Sequence, residues 1–367
     1  MLRYLVIFVA LLLAAISFVI LVFPQYGQFL HGQNDFAGLY IGGALVGSPQ
    51  LYSYADNQAM LVCLLHGRMP TLAFVRPPFY AVLLRPLALL PYPVAYWLFL
   101  ASMVAGLVWF VLRFSKECPE LPVFVILAPA TLTALANVQD TPLLLGVAAC
   151  SILLFRGGRH FLGGVVLSLC AVKFHLFLLI PVLLALKRRW RALGGMATGG
   201  CLLLALGAVG AGPDAYLKWI DTIRNPIVGP SNAMINIHAL VEACHGGLAM
   251  EIALVLAVVA LFIWMCRRTE DFEFLFGAAL LCGILIGIHS YAYDSLLVLL
   301  AFVLIGNPKV RLAFVPLLTP ISDYFLFKTF TVPYIIGLLL ALAVAAAMLA
   351  APRPLRKAMP LCATLGE

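Results

Sequence analysis

Asp35 is the residue whose type and context best suit proton transfer. It stands in Asn34-Asp35-Phe36-Ala37-Gly38-Leu39-Tyr40, shortly beyond the long apolar run that opens the chain. A carboxylate at a membrane boundary can take a proton from an attacking hydroxyl, which is the work of a general base. Asp is also a favoured helix N-cap residue, and spacing alone leaves both roles open. The small residues just after it, Ala37, Gly38, Gly42, Gly43 and Ala44, would let another element pack closely.

Cations that could hold a phosphate recur further along. Arg76 heads Arg76-Pro77-Pro78-Phe79-Tyr80, where two prolines disfavour a helix interior and fix an extended approach to the next element. Its guanidinium offers a rigid fork suited to phosphate, and a cationic interface anchor would look the same. Lys173 and His175 sit between two short apolar runs. His289 and Asp294 bracket an aromatic turn with Tyr291 and Tyr293, and Gln139 lies in the polar turn Asn137-Val138-Gln139-Asp140. Ionisable groups in apolar surroundings are candidate functional residues, although a histidine there can be a hydrogen-bonded packing element and a lysine can snorkel. Asp56, Asp140 and Asp294 are acids that a metal could use, but nothing has ligand-like spacing, and neither a metal nor a cofactor is expected. The nine cysteines, mostly within apolar runs and without a CxxC pair, read as small apolar residues.

The elements that position these groups are read from composition. Of 367 residues, 64% are apolar and only 10% are charged, with a mean hydropathy of +1.08. Soluble domains carry about 25% charged residues. Apolar runs fall near 4–23, 92–112, 121–136, 141–155, 161–172, 174–186, 192–211, 248–266, 272–288, 291–306, 310–322 and 333–351. In hydrocarbon each must satisfy its own backbone, so the chain is predicted to be an all-α polytopic membrane protein of about twelve spans, several short. It forms a single membrane domain, 1–367, with long outer loops at 24–91 and 212–247; amphipathic interfacial helices are expected in the first. The first run is too long for a signal-peptide core and reads as a retained span.

The net charge of +8 comes from short basic clusters between apolar runs, a topology signal that excludes a nucleic-acid role. With both termini cytoplasmic, sixteen of the 23 Lys and Arg fall inside. Arg156/Arg159 and Lys187-Arg188-Arg189-Trp190-Arg191 both read as cytoplasmic, so the residues between them must rise and return. That places Lys173 and His175 toward the outer face.

In order along the chain stand a membrane helix, Asp35 with Tyr40, Gly47, Leu51-Tyr52, and Arg76-Pro77-Pro78-Phe79 running into Pro86 to Pro91. Then come Asn137/Gln139, Lys173, the basic Lys187–Arg191 run and His289 to Asp294. This series resembles glycosyltransferase family 87, membrane enzymes of the GT-C fold that use polyprenyl-phosphate sugars. Tyr-Pro-Pro is common in the family where this chain has Arg76-Pro77-Pro78, and Lys-Pro where it has Lys173-Phe174. The resemblance implies inverting transfer of a sugar, often mannose, from a polyprenyl phosphate to a hydroxyl of a lipid or glycan acceptor. It further implies a bacterial plasma-membrane enzyme whose site faces the periplasm or exterior. Asp35 then falls on the family's base, with Arg76, Lys173, His289 and His175 on donor-phosphate positions. Tyr40, Tyr80, Gln139 and Asp294 are candidates for contact with acceptor or sugar. A transporter or lipid flippase would share the hydropathy, but transporters place their sites near the midplane and often carry internal repeats, whereas these polar residues gather at one boundary.

Overall fold

The computed structural model describes residues 26–65, 72–224, 233–321 and 331–350, with scattered positions from 8 to 23. The apolar run 4–23 lies largely outside the described residues. Among the described residues the chain is helical, apart from one isolated bridge pairing Met234 with Tyr291. Five helices are long and apolar enough to cross a membrane: Tyr92–Phe114, His160–Phe177, Trp190–Ala211, Leu248–Arg268 and Thr331–Ala350. Shorter apolar helices, Thr141–Arg156, Phe272–Ile286 and Ala292–Leu304, lie among them. Short helices suit a protein interior, where neighbours rather than lipid surround them, and Phe272–Ile286 is buried along almost its whole length.

The expected rise and return between the two basic clusters is present. His160–Ser168 runs into a 3₁₀ segment, Leu169–Phe177, which breaks at Lys173 (φ −123°, ψ 57°) before Leu179–Leu186 begins. Gly164 meets Ala192, Gly195 meets Phe161, and Gly199 meets Ser168, so His160–Ser168 runs parallel to Trp190–Ala211. The intervening Leu179–Leu186 must therefore return the chain to the end at which His160 began. A Cβ at Gly164 or Gly195 would run into the facing backbone, the close approach that small residues permit in membrane helix pairs.

The helix array has two distinct ends. At one, Arg156 bonds Glu273 and Glu117 at 2.7 Å each, Lys187 bonds Glu270 at 2.9 Å, and Arg311 bonds Glu120 at 3.0 Å. At the other stand Asp35, Arg76, Gln139, Lys173 and His289. The first long loop contributes Phe36–Ala44, Tyr54–Leu65 and Pro78–Ala88 to this second end. Phe36–Ala44 is not an interfacial helix: seven of its nine residues are buried. Gly42 admits the Phe74 ring and Gly43 the Leu84 carbonyl, which a Cβ would meet at 2.8 Å. Asp214–Arg224 is strongly amphipathic, with exposed Leu217 and Ile220, as a helix lying along a membrane surface should be.

Candidate active site

Asp35 is set by its neighbour. The buried Asn34 amide donates to the Tyr96 hydroxyl at 3.1 Å and to the Ala136 carbonyl at 3.0 Å, tying this turn to two helices. Asp35 takes the N-cap position of Phe36–Ala44 without a side-chain capping bond. Its carboxylate instead accepts from Gln139 Nε2. The N-cap alternative therefore does not account for this side chain.

Arg76 approaches as its prolines require: Pro77 is extended (ψ 150°) and Pro78 opens the helix Pro78–Ala88, the first-turn position where proline is tolerated. The Tyr52 hydroxyl donates to the Arg76 carbonyl at 2.7 Å. On the side chain, Nε donates to Asp140 Oδ2 at 3.1 Å, and Nη2 donates to Asp140 Oδ1 at 3.2 Å and to Gln139 Oε1 at 3.3 Å. This is the two-pronged geometry of a strong guanidinium–carboxylate pair. The Nη1 edge has no partner among the described residues.

Lys173 is differently placed. It is 1% exposed, and its ammonium meets Asp294 Oδ1 at 2.7 Å, Thr141 Oγ1 at 2.9 Å and Asp140 Oδ1 at 3.0 Å. Gln139 Oε1 lies at 3.4 Å and the Tyr293 ring centroid at 4.7 Å. An ammonium has three protons, so this cation is consumed inside the protein. Asp294 is equally committed: Oδ1 also receives Thr141 at 3.1 Å, and Oδ2 receives the Tyr291 backbone N–H at 3.0 Å. The buried Lys173 and the partly buried Arg76 thus face two buried carboxylates, which is the arrangement that makes such burial tolerable. Asp35 is left as the lining acid without an ion pair among the described residues.

These groups floor a cavity of about 330 Å³. Asp35, Arg76, Gln139, Lys173, His175 and His289 line it on the polar side. Leu72, Val75, Phe174, Trp219, Ile223 and Ile288 form an apolar flank, and Ile288 is 52% exposed. Trp219 is held by donation to the Val75 carbonyl at 3.2 Å and packs edge-on to Phe174. His175 Nε2 and His289 Nδ1 are buried and have no hydrogen-bond partner among the described residues. The loop carrying His289 is pinned by Asn236, whose amide donates to the Gly287 and Ile288 carbonyls at 2.7 and 3.2 Å.

Burial pushes the Asp35 carboxyl above the ordinary carboxylate range, against the pull of Gln139, Arg76 and Lys173. Burial pushes the His289 imidazole below its ordinary value. Among the described residues no three His, Cys, Asp or Glu side chains converge to hold a metal ion.

Of the residues singled out in the sequence, Asp35, Arg76, Gln139, Lys173, His175, His289 and Asp294 meet at this one cavity. Tyr40 and Tyr80 do not line it: Tyr40 donates to the Leu90 carbonyl at 2.8 Å, and Tyr80 is buried. Asp56 lies in the first turn of Tyr54–Leu65, away from the cavity. Sequence reasoning gave no role to Thr141, Asn236 or Trp219. Thr141 and Asn236 are uncharged groups whose importance lies only in what they touch, and no spacing signals them.

A helical membrane protein with a carboxylate free of ion pairs among the described residues, a guanidinium edge and an apolar flank around one cavity has groups suited to moving a polar group. The family model for glycosyltransferase family 87 matches residues 74–290, more than half of the chain, and the chain belongs to that family. It is a membrane glycosyltransferase. The matched residues include Arg76, Gln139, Asp140, Lys173, His175 and His289; Asp35 and Asp294 lie outside them. No curated protein and no solved structure matches the chain.

Proposed function

We propose that this glycosyltransferase moves a sugar, mannose by preference, from a polyprenyl phosphate to a hydroxyl of a lipid or glycan acceptor, with inversion. Asp35 takes the hydroxyl proton as that oxygen bonds to the anomeric carbon. The bond from that carbon to the phosphate oxygen breaks on the opposite face, and polyprenyl phosphate leaves. The free Nη1 edge of Arg76, His175 Nε2 and His289 Nδ1, none with a partner among the described residues, are the groups available to the leaving phosphate, in a partly dry site where such contacts count most. Lys173 acts one step back, holding Asp140 and Asp294. The apolar flank from Phe174 to Ile288 is the path we assign to the polyprenyl chain, whose other contacts are with membrane lipid.

The observation that carries this reading is the position of Asp35: the one unpaired acid among the described lining residues shares a cavity with the uncommitted edge of Arg76. We further read the fold as GT-C, with about twelve crossings, cytoplasmic termini and the cavity at the outer face of a bacterial plasma membrane. The bonded arginines and lysines of the opposite end support that orientation. The test supplies purified protein with radiolabelled polyprenyl-phosphate mannose or, separately, a labelled nucleotide sugar, and membrane lipid as acceptor. Label should move from the polyprenyl phosphate alone, and the product should carry the inverted anomeric configuration. Transfer from the nucleotide sugar alone would overturn the donor, and retained configuration the mechanism.

A further inference from the structure

Gln139 has a side chain whose orientation is dictated from one side and used on the other. Its Oε1 lies 3.3 Å from Arg76 Nη2 and 3.4 Å from Lys173 Nζ. Both neighbours are cations that can only donate. Its Nε2 faces Asp35 Oδ2, an acceptor when ionised. Turning the amide over would set its NH₂ against two cations and its carbonyl against a carboxylate. Chemistry therefore fixes which end is which, although oxygen and nitrogen have the same shape.

We propose that Gln139 is a positioning residue for Asp35: clamped by Arg76 and Lys173, it holds Asp35 Oδ2 and leaves Oδ1 as the oxygen that receives the acceptor proton. Asp35 Oδ1 has no partner among the described residues. The inference rests on Asp35 being the base. Lys173, whose three protons go to closer partners, contributes its positive charge 3.4 Å from Gln139 Oε1, which favours the amide oxygen over the NH₂ on that side. The other charged or titratable groups around Asp35 are Arg76, Asp140, Lys173, His175, His289, Tyr291, Tyr293 and Asp294. None of them is hydrogen-bonded to Asp35 among the described residues, so the donated bond from Gln139 is the direct hold on this carboxylate.

The test reads Asp35 itself. Purified wild type, Asp35→Asn, Gln139→Leu and Gln139→Glu are titrated by infrared difference spectroscopy, and the carboxyl bands missing in Asp35→Asn are assigned to Asp35. Loss of a donor to the ionised form should move the Asp35 midpoint up by about one pH unit in Gln139→Leu. Gln139→Glu keeps the shape and satisfies both cations but sets a second carboxylate against Asp35, so its midpoint should rise further. Should Gln139→Leu fail to fold, Gln139→Glu still gives the reading. A midpoint unchanged from wild type, or no Asp35 band that titrates, overturns the proposal. The base assignment is judged separately, by mannosyl transfer in Asp35→Asn. A midpoint that moves while Asp35→Asn still transfers label would refute the base and leave the clamp standing.

Discussion

Removing the Lys173 charge is a stability experiment before it is a catalytic one. The ammonium neutralises Asp140 and Asp294, which are 0% and 1% exposed, and a buried charge that loses its partner costs about 3–5 kcal/mol. Lys173→Met should lower the melting temperature in detergent by that measure. Adding Asp294→Asn should restore part of it, because the two changes share one interaction. Strictly additive losses would show that the pair contributes nothing. Arg76→Lys should act otherwise: a point charge cannot reproduce the two-pronged grip on Asp140, so donor KM should rise more than stability falls. With Asp35 as the proposed base, the pH dependence of transfer follows its titration. Burial raises its pKa, and the base form is the ionised one, so transfer should grow with pH through a midpoint above the usual carboxylate value of about 3.9. A limb at or below that value would contradict the environment described. At this scale the sequence was informative about charge: Asp35, Arg76, Lys173 and His289 announce themselves as ionisable residues at apolar boundaries. It was silent about pairing. Nothing in the spacing shows that Lys173 is consumed by two carboxylates while Arg76 keeps a free edge, since both facts depend on elements far apart in the chain.

Helices position these groups through close contacts that tolerate little change. Gly164→Leu would force a side chain into the Ala192 carbonyl across the parallel helix pair. Overpacking of this kind costs about 1–3 kcal/mol, and a thermal shift in detergent reads it. The same substitution at Gly194, where a Cβ meets nothing within 4 Å, should be nearly silent. An equal loss at both positions would place the effect elsewhere than this interface. Asn236→Ala removes both bonds to the Gly287 and Ile288 carbonyls and the cap bond from the Ala239 N–H, so it should loosen the loop of His289 and the first turn of Ile237–Ala243, raising donor KM. The rise and return around Lys173 was legible in the sequence because two basic clusters flank an apolar stretch that one crossing cannot join. The burial of Phe36–Ala44 was not legible, because a short apolar helix reads the same whether it lies on lipid or under protein. The contact of Gly42 and Gly43 with Phe74 and Leu84 decides between them.

For the whole molecule, the polar cavity and the bonded basic end lie at opposite ends of the helix array. Cys63 and Cys244 are exposed near the cavity end, on Tyr54–Leu65 and just after Ile237–Ala243. A membrane-impermeant maleimide added to intact cells should label both. Labelling only after permeabilisation would invert the orientation. Composition alone established a helical membrane protein, and the distribution of lysine and arginine suggested which end faces outward. The convergence of residues from Asp35 to Asp294 on one cavity needed the folded chain. The central claim is that Asp35 removes the acceptor proton, and transfer of radiolabelled mannose from polyprenyl-phosphate mannose by wild type beside Asp35→Asn tests it most directly. We expect the variant to bind donor as wild type does and to lose at least about a hundredfold in transfer rate. Transfer by Asp35→Asn at the wild-type rate would contradict the account.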